Sequence, residues 1–475
     1  MKAARHLLTL LVLGLIFVPG AGGIPLTAWG IGRGSSTVVV QNTSTTEVNV
    51  VAEFINPSEG TTAYRQPTSI PGHGSYEFDV ANTPLSSNWV GSMILSSDQP
   101  LVALNNLIWR GGTIGDGTSA GTYAAFAEGS TTVYLPFLSK RKGQYATFSI
   151  QNVDSGPAKI KIKYINRDGT VRKTRRDEIP EGAQRIYDLS SPGGKVPRLG
   201  NSWRGAVVVS SSKNLVGVAT VHWSKYSGAY NGFASGDSTI FLPSVYRRQR
   251  NNRWKVHSNI IVQNLSNSQA ARVRLRFYSH SGGPAILDFT DTIPANSSHT
   301  YSTKGGGRVP ATKFECLGTS HAGPVIITSD SDGPPIVAVA VTHWWGKVFT
   351  GIYNSQATGS TELFVPDVAR TKNGNQWDRY TALVVQNPDP SNAATVRLRF
   401  YDRDGTLKFK FKAIIPASSS HEYNTRVGGN VTMRKIRHLG NDFLGSAYIK
   451  SNRPVIGIVN SLWDLGGMAS QHNMF

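Results

Sequence analysis

Apolar and polar residues alternate along much of this chain with a period of two. Ile160, Ile162 and Tyr164 alternate with Lys159, Lys161 and Lys163, and Val273, Leu275 and Phe277 with Arg272, Arg274 and Arg276. Val396, Leu398 and Phe400 alternate in the same way with Arg397 and Arg399. Such runs predict strands with one buried and one wet face, as in antiparallel sheets. Turn chemistry follows two of them at once. Asn166-Arg167-Asp168-Gly169 and Asp402-Arg403-Asp404-Gly405 read as hairpins, with glycine supplying the positive φ. Beyond the N-terminal region no segment carries a sustained helical period.

The alternation sits inside a larger repeat. A Gln-Asn pair ends an apolar run at Gln41-Asn42, Gln151-Asn152, Gln263-Asn264 and Gln386-Asn387. An Ile-Pro pair follows each, at Ile70-Pro71, Ile179-Pro180, Ile293-Pro294 and Ile415-Pro416. A tryptophan then closes each of the runs Leu101 to Trp109, Leu215 to Trp223, Ile336 to Trp344 and Val455 to Trp463. A further proline precedes each Gln-Asn pair: Pro25, Pro136, Pro243 and Pro366. Four landmarks recur in one order at a spacing of about 110 residues. Seven or eight short strands per repeat predict an all-β chain of four tandem immunoglobulin-like antiparallel β-sandwich domains of about 110 residues each. The expected boundaries are 24–130, 131–238, 239–361 and 362–475, after an N-terminal segment 1–23.

That first segment has the layout of an export signal. Lys2 and Arg5 precede an apolar run from Leu7 to Val18, and Pro19-Gly20-Ala21-Gly22-Gly23 closes it with small residues. The run is too short to span a hydrocarbon core of roughly 30 Å. The expectation is cleavage after Gly23 and a secreted or extracellular product, possible surface association included, with no transmembrane segment left.

The Gln-Asn strand, the Asp-Gly hairpin and the Ile-Pro turn are joined by Ser96-Ser97-Asp98-Gln99-Pro100 and Tyr230-Asn231-Gly232-Phe233. Together they resemble tandem repeats of secreted proteins of filamentous bacteria. The resemblance implies surface-associated β-sandwich modules. It carries no catalytic residue, and Lys213-Asn214-Leu215 departs from the Asp-Gln-Pro step in the second repeat.

Charge refines the picture. The 475 residues hold 49 Lys+Arg against 29 Asp+Glu, a net +20, although only 16% are charged. The imbalance is a shortage of acid, and it concentrates on strand faces. Lys159, Lys161 and Lys163 point outward beside Arg172 and Arg176 of the next strand; Arg397 and Arg399 are followed by Lys408, Lys410 and Lys412. Arg247, Arg248 and Arg250 lie in an expected loop after Pro243. In the third repeat Asp288 and Asp291 are expected to compensate the arginine stripe, and the first repeat has no stripe. These residues are the candidate contacts to an anionic extracellular polymer or cell envelope; nucleic acid is not an expected partner.

Catalytic and cofactor signals are absent from the linear sequence. The slot before each tryptophan holds Ile108, His222, His343 and Leu462, so the histidines read as packing or interface residues. No Gly-x-Ser-x-Gly, phosphate loop or His-Glu-x-x-His occurs. The single Cys316 is expected to be buried. No cofactor and no enzymatic activity are expected. The expected function is structural or binding, in a matrix, sheath, filament or adhesion. The alternatives are an adhesin using the basic faces and a secreted hydrolase with dispersed loop residues. If the proline strand completed the preceding sheet, head-to-tail strand donation would build a fibre. Its membership of the following repeat is the favoured arrangement, since that leaves no unpaired edge.

Overall fold

The computed structural model describes residues 8–17, 33–87, 89–110, 119–190, 196–223, 226–344, 349–464 and 467–475. It is all-β, with antiparallel sheets throughout. The second repeat shows the plan. In its first sheet the return strand Val171–Ile179 pairs with the alternating strand Ala158–Asn166. That strand pairs with the first half of the long strand Ser202–Trp223, and the proline strand Ser130–Arg141 completes the sheet. In the second sheet the short strand Gln184–Asp188 pairs with the Gln-Asn strand Gln144–Asn152. The second half of the long strand and the closing strand Ser227–Asn231 follow. The other repeats pair in the same order. Ile160, Ile162 and Tyr164 face Phe148, Ile150 and Val221 across the interior, so the period of two builds a β-sandwich core.

The sequence landmarks have a physical link. Asn152 is fully buried, and its Nδ2 donates to the carbonyls of Gly156, Ile179 and Pro180 at 2.8, 3.2 and 3.1 Å. Its Oδ1 accepts from Asp154 N–H. Asn42, Asn264 and Asn387 make the same bonds to their own Ile-Pro pairs. One amide thus ties the end of the Gln-Asn strand to the end of the return strand, satisfying carbonyls that burial would otherwise leave unpaired.

Each proline strand Ser130–Arg141, Thr239–Arg250 and Ser360–Asn373 pairs within the repeat that follows it, the arrangement that leaves no open edge between repeats. Pro25 lies outside the described residues. In the first repeat that place is held by Leu8–Phe17, antiparallel to Val90–Ser97, so the run read as an export signal is a strand here. Cys316 is exposed, contrary to expectation. It lies on the 3-10 turn Ala311–Leu317, where Phe314 and Leu317 take the buried side.

The four repeats close into a ring, which no feature of the sequence anticipates. Backbone N–H groups of Gln184, Ser298 and Ser75 each donate to a hairpin carbonyl of the preceding repeat, at Pro57, Arg167 and Arg403. The third of these joins the last repeat to the first. At the remaining join His280 Nδ1 donates to Ser420 O at 2.7 Å. The closing strands Ser119–Ala124, Ser227–Asn231, Phe349–Asn354 and Met468–Asn473 pack against one another at the centre. Asn231 bridges the backbone N–H and C=O of Ala124, Asn354 bridges those of Asn231, and Asn473 those of Asn354. On the fourth side Thr122 Oγ1 meets Ser470 Oγ at 2.7 Å.

Candidate functional site

The basic stripes form as the alternation predicts, and register decides which charges meet. In the fourth repeat Arg397 stands directly opposite Lys412 on one side and Lys450 on the other. Arg399 stands opposite Lys410, with its guanidinium carbon 5.4 Å from the Tyr448 ring centre. Two charges at the rim are compensated: Lys450 by Glu362 at 3.3 Å and Lys408 by Asp402 at 3.6 Å. In the second repeat Lys161 faces Arg176 directly, whereas Lys159 faces Glu178 and Lys163 faces Thr174. Arg172 is exposed beside the bulge between Tyr164 and Ile165, where the register shifts. The second stripe is therefore less concentrated than its sequence suggests.

Two expectations about charge need correction. Arg274 pairs with Asp288 at 2.6 Å, as expected in the third repeat. Asp291 instead turns to the opposite side, where it accepts from His299 at 2.7 Å and from the Tyr301 hydroxyl at 2.8 Å. The residues Arg247, Arg248 and Arg250 do not form a loop. They belong to the extended hairpin of Thr239–Arg250 and Arg253–Asn264, turned by Asn251 and Asn252 at φ 50° and 57°. Arg247 is buried, donates to Gly318 O and stacks over Trp254 at 5.4 Å, leaving Arg250 exposed. Sequence reading missed Trp377, the equivalent tryptophan of the fourth repeat, which Arg370, Lys372 and Arg426 approach at 5.0, 4.9 and 5.8 Å. Its signal was an aromatic nine residues before the Gln, as at Trp254.

The tryptophan landmark and the slot before it meet between repeats. Trp109 packs edge-on to His222 of the next repeat at 4.9 Å, and Trp223 to His343 at 5.4 Å. Trp344 shares a cleft with Leu462, and Trp463 an apolar cluster with Ile108. The histidines are thus interface packing residues. Burial pushes His222 down to about 3 and His343 to about 4, so both are neutral at pH 7.

Clefts open at these joins. Between the second and third repeats a cleft of about 410 Å³ is lined by Arg141, Arg167 and Arg204 together with Trp223, Tyr226 and Thr300. Between the third and fourth, one of about 270 Å³ holds Arg248 and Lys255, but also Glu422. Of the candidate contacts named above, Arg248 lines the second of these clefts. Among the described residues no group of three or more His, Cys, Asp or Glu side chains is placed to hold a metal ion. Asp404 of the Asp-Arg-Asp-Gly turn accepts from Thr406 N–H within its own hairpin. No helix among the described residues is long and apolar enough to cross a membrane.

No family model matches the chain, and no curated protein does. Among solved structures, a protein of Thermotoga maritima is similar at 18% identity over 25% of this chain and 94% of its own, with a TM-score of 0.19. A tetra-tandem repeat from the extending region of a large adhesion protein covers 94% of this chain and 95% of its own at 11% identity, TM-score 0.12. A glycoside hydrolase family 32 protein of Bifidobacterium adolescentis covers 91% and 98% at 10% identity, TM-score 0.13. These scores lie below the range of a shared fold.

Proposed function

We propose that this chain is a binding and structural protein of the cell exterior. In this reading it is an exported ring of four immunoglobulin-like β-sandwich domains that holds an anionic polysaccharide or envelope polymer against its basic faces. The matrix, sheath, filament and adhesion settings of such proteins all fit. The carrying observation is the uncompensated pairing in the fourth repeat, Arg397 opposite Lys412 and Arg399 opposite Lys410. Like charges directly opposite destabilise a sheet, by up to about 1 kcal/mol per pair. In the third repeat Asp288 relieves the same arrangement. A polyanion would relieve it in the fourth, since side chains repeating every second residue, roughly 7 Å apart, match a multivalent partner better than a single ion.

The strongest catalytic candidates in the sequence are otherwise occupied, the histidines in packing and the Asp-Gly acids in their turns. The charged, apolar and small-residue zones of the first 23 residues support export, and cleavage after Gly23 would take from the first repeat the strand Leu8–Phe17 that pairs with Val90–Ser97. A ring whose last repeat covers its first favours a discrete particle over head-to-tail strand donation. The test is co-sedimentation with an anionic polysaccharide across a salt series. Arg397→Gln with Lys412→Gln is expected to weaken binding and flatten its salt dependence. Unchanged binding would remove the stripe from the reading.

A further inference from the structure

The four joins of the ring act as internal controls for one another. At each, the hairpin of one repeat docks beside the short strand of the next, and the residue two places beyond the docking serine or glutamine faces the hairpin. Between the fourth and first repeats Arg403 meets Glu77 at that place, at 2.5 Å. Between the third and fourth it is Glu422, beside His280. Between the second and third it is Thr300, a neutral hydroxyl, to which the Arg167 guanidinium donates. Between the first and second repeats the same place holds Ile186, beside a hairpin without arginine; the carboxylate that pairs with Arg403 is missing beside Arg167.

The surroundings sharpen the contrast. Arg141 and Arg204 line the same cleft as Arg167, and among the described residues no Asp or Glu does. Asp168, the nearest acid in sequence, accepts from the N–H and hydroxyl of Thr170 in its own turn. Burial and the charge of Arg141 together hold Arg167 below the ordinary guanidinium range, as expected where cations converge. Three guanidiniums offer forked donors suited to carboxylate.

We infer that the cleft between the second and third repeats binds a carboxylated sugar, whose acid group takes the place that Glu77 fills between the fourth and first. The aromatic wall argues for a sugar ring over a bare anion. Trp223 and Tyr226 stand 5.4 Å apart between ring centres, with Phe137 beyond Trp223 at 6.2 Å. Asn259, Ser298 and Ser302 line the same cleft and bring amide and hydroxyl groups for ring hydroxyls. The volume, about 410 Å³, lies in the range of small-molecule sites.

The site is separate from the strand faces, so its test is too. Calorimetric titration of the full chain would use D-glucuronate, with D-glucose and inorganic phosphate as the neutral and ring-free arms. Glucuronate is expected to bind at least about tenfold more tightly than either, and Arg167→Gln to weaken it by about tenfold or more. Thr300→Glu should recreate the Arg403–Glu77 pair, abolishing glucuronate binding while raising the melting temperature. Arg397→Gln should leave glucuronate binding unchanged whether or not it loses polymer. A silent titration, phosphate binding as tight as glucuronate, or full affinity in Thr300→Glu would overturn the inference. Should Thr300→Glu fail to fold, Arg167→Gln decides, and undiminished affinity there counts against the site.

Discussion

At the scale of single residues, the repeated asparagine is the clearest case of chemistry dictating a landmark. Asn152 donates to three carbonyls and accepts from one N–H, all with no exposure of its own. Asn152→Ala leaves buried carbonyls unpaired and is expected to cost about 2–4 kcal/mol, read as a lower denaturant midpoint; a change within error would show that water replaces the amide. The interface histidines make a prediction about acid. Both are neutral when folded, with pKa values far below the ordinary 6.5. The unfolded chain therefore takes up protons first as pH falls, and stability declines from about pH 6.5 towards 4. At pH 4.5 each histidine should contribute a loss on the order of 2 kcal/mol. His222→Ile and His343→Leu install the residues found in the equivalent slots, and should flatten the fall in melting temperature between pH 7 and 4.5. An undiminished fall would place the acid sensitivity elsewhere.

At the scale of elements, alternation predicted which side chains point outward, whereas register decided what they face. Lys161 meets Arg176 and Arg397 meets Lys412, yet Lys159 meets Glu178. A shift of one residue would exchange the faces, and an even shift would exchange the partners. Lys412→Glu should stabilise the fourth repeat by up to about 1 kcal/mol by pairing with Arg397. The same change should reduce polyanion binding, and a variant that gains stability while binding as before would separate the stripe from function. Asp291 shows where linear reading stops. It sits on the strand opposite the arginines, but its turn towards His299 and Tyr301 depends on the neighbouring short strand.

At the scale of the whole molecule, closure of the ring is the main consequence of folding. Each closing strand carries an asparagine that clamps the strand before it, except in the first repeat, where Ala124 has no amide. Ala124→Asn is expected to add the fourth clamp, onto Asn473, and to stabilise the ring by about 1–2 kcal/mol. Slower hydrogen exchange in residues 119–124 and 468–473 would register it, and unchanged exchange would mean that the fourth side has a different geometry. Asp367 holds the same join. It is 3% exposed, bonded to Arg379 at 2.7 Å and to Asn106 of the first repeat at 3.1 Å. Asp367→Asn leaves the half-buried Arg379 without its counter-charge, at a cost on the order of 2–3 kcal/mol. Small-angle scattering should then show an expanded particle; an unchanged radius would mean that the remaining contacts suffice.

The sequence by itself determined the strands, the inward and outward faces, and the repeat with its four landmarks. Those depend on local alternation, turn chemistry and recurrence, all of which are written along the chain. It also pointed to packing as the role of the histidine slot, because Ile108 and Leu462 occupy it in the other repeats. Only the tertiary structure decided that Trp109 packs on His222 and that the fourth repeat closes on the first. It alone showed that Arg167 meets a threonine where Arg403 meets a glutamate. Such contacts join residues a hundred or more positions apart, and nothing in a pattern of period two specifies which distant surface a strand end will meet. The +20 charge follows the same division: its sign and faces are legible in the chain, whereas its compensation is a matter of register and docking.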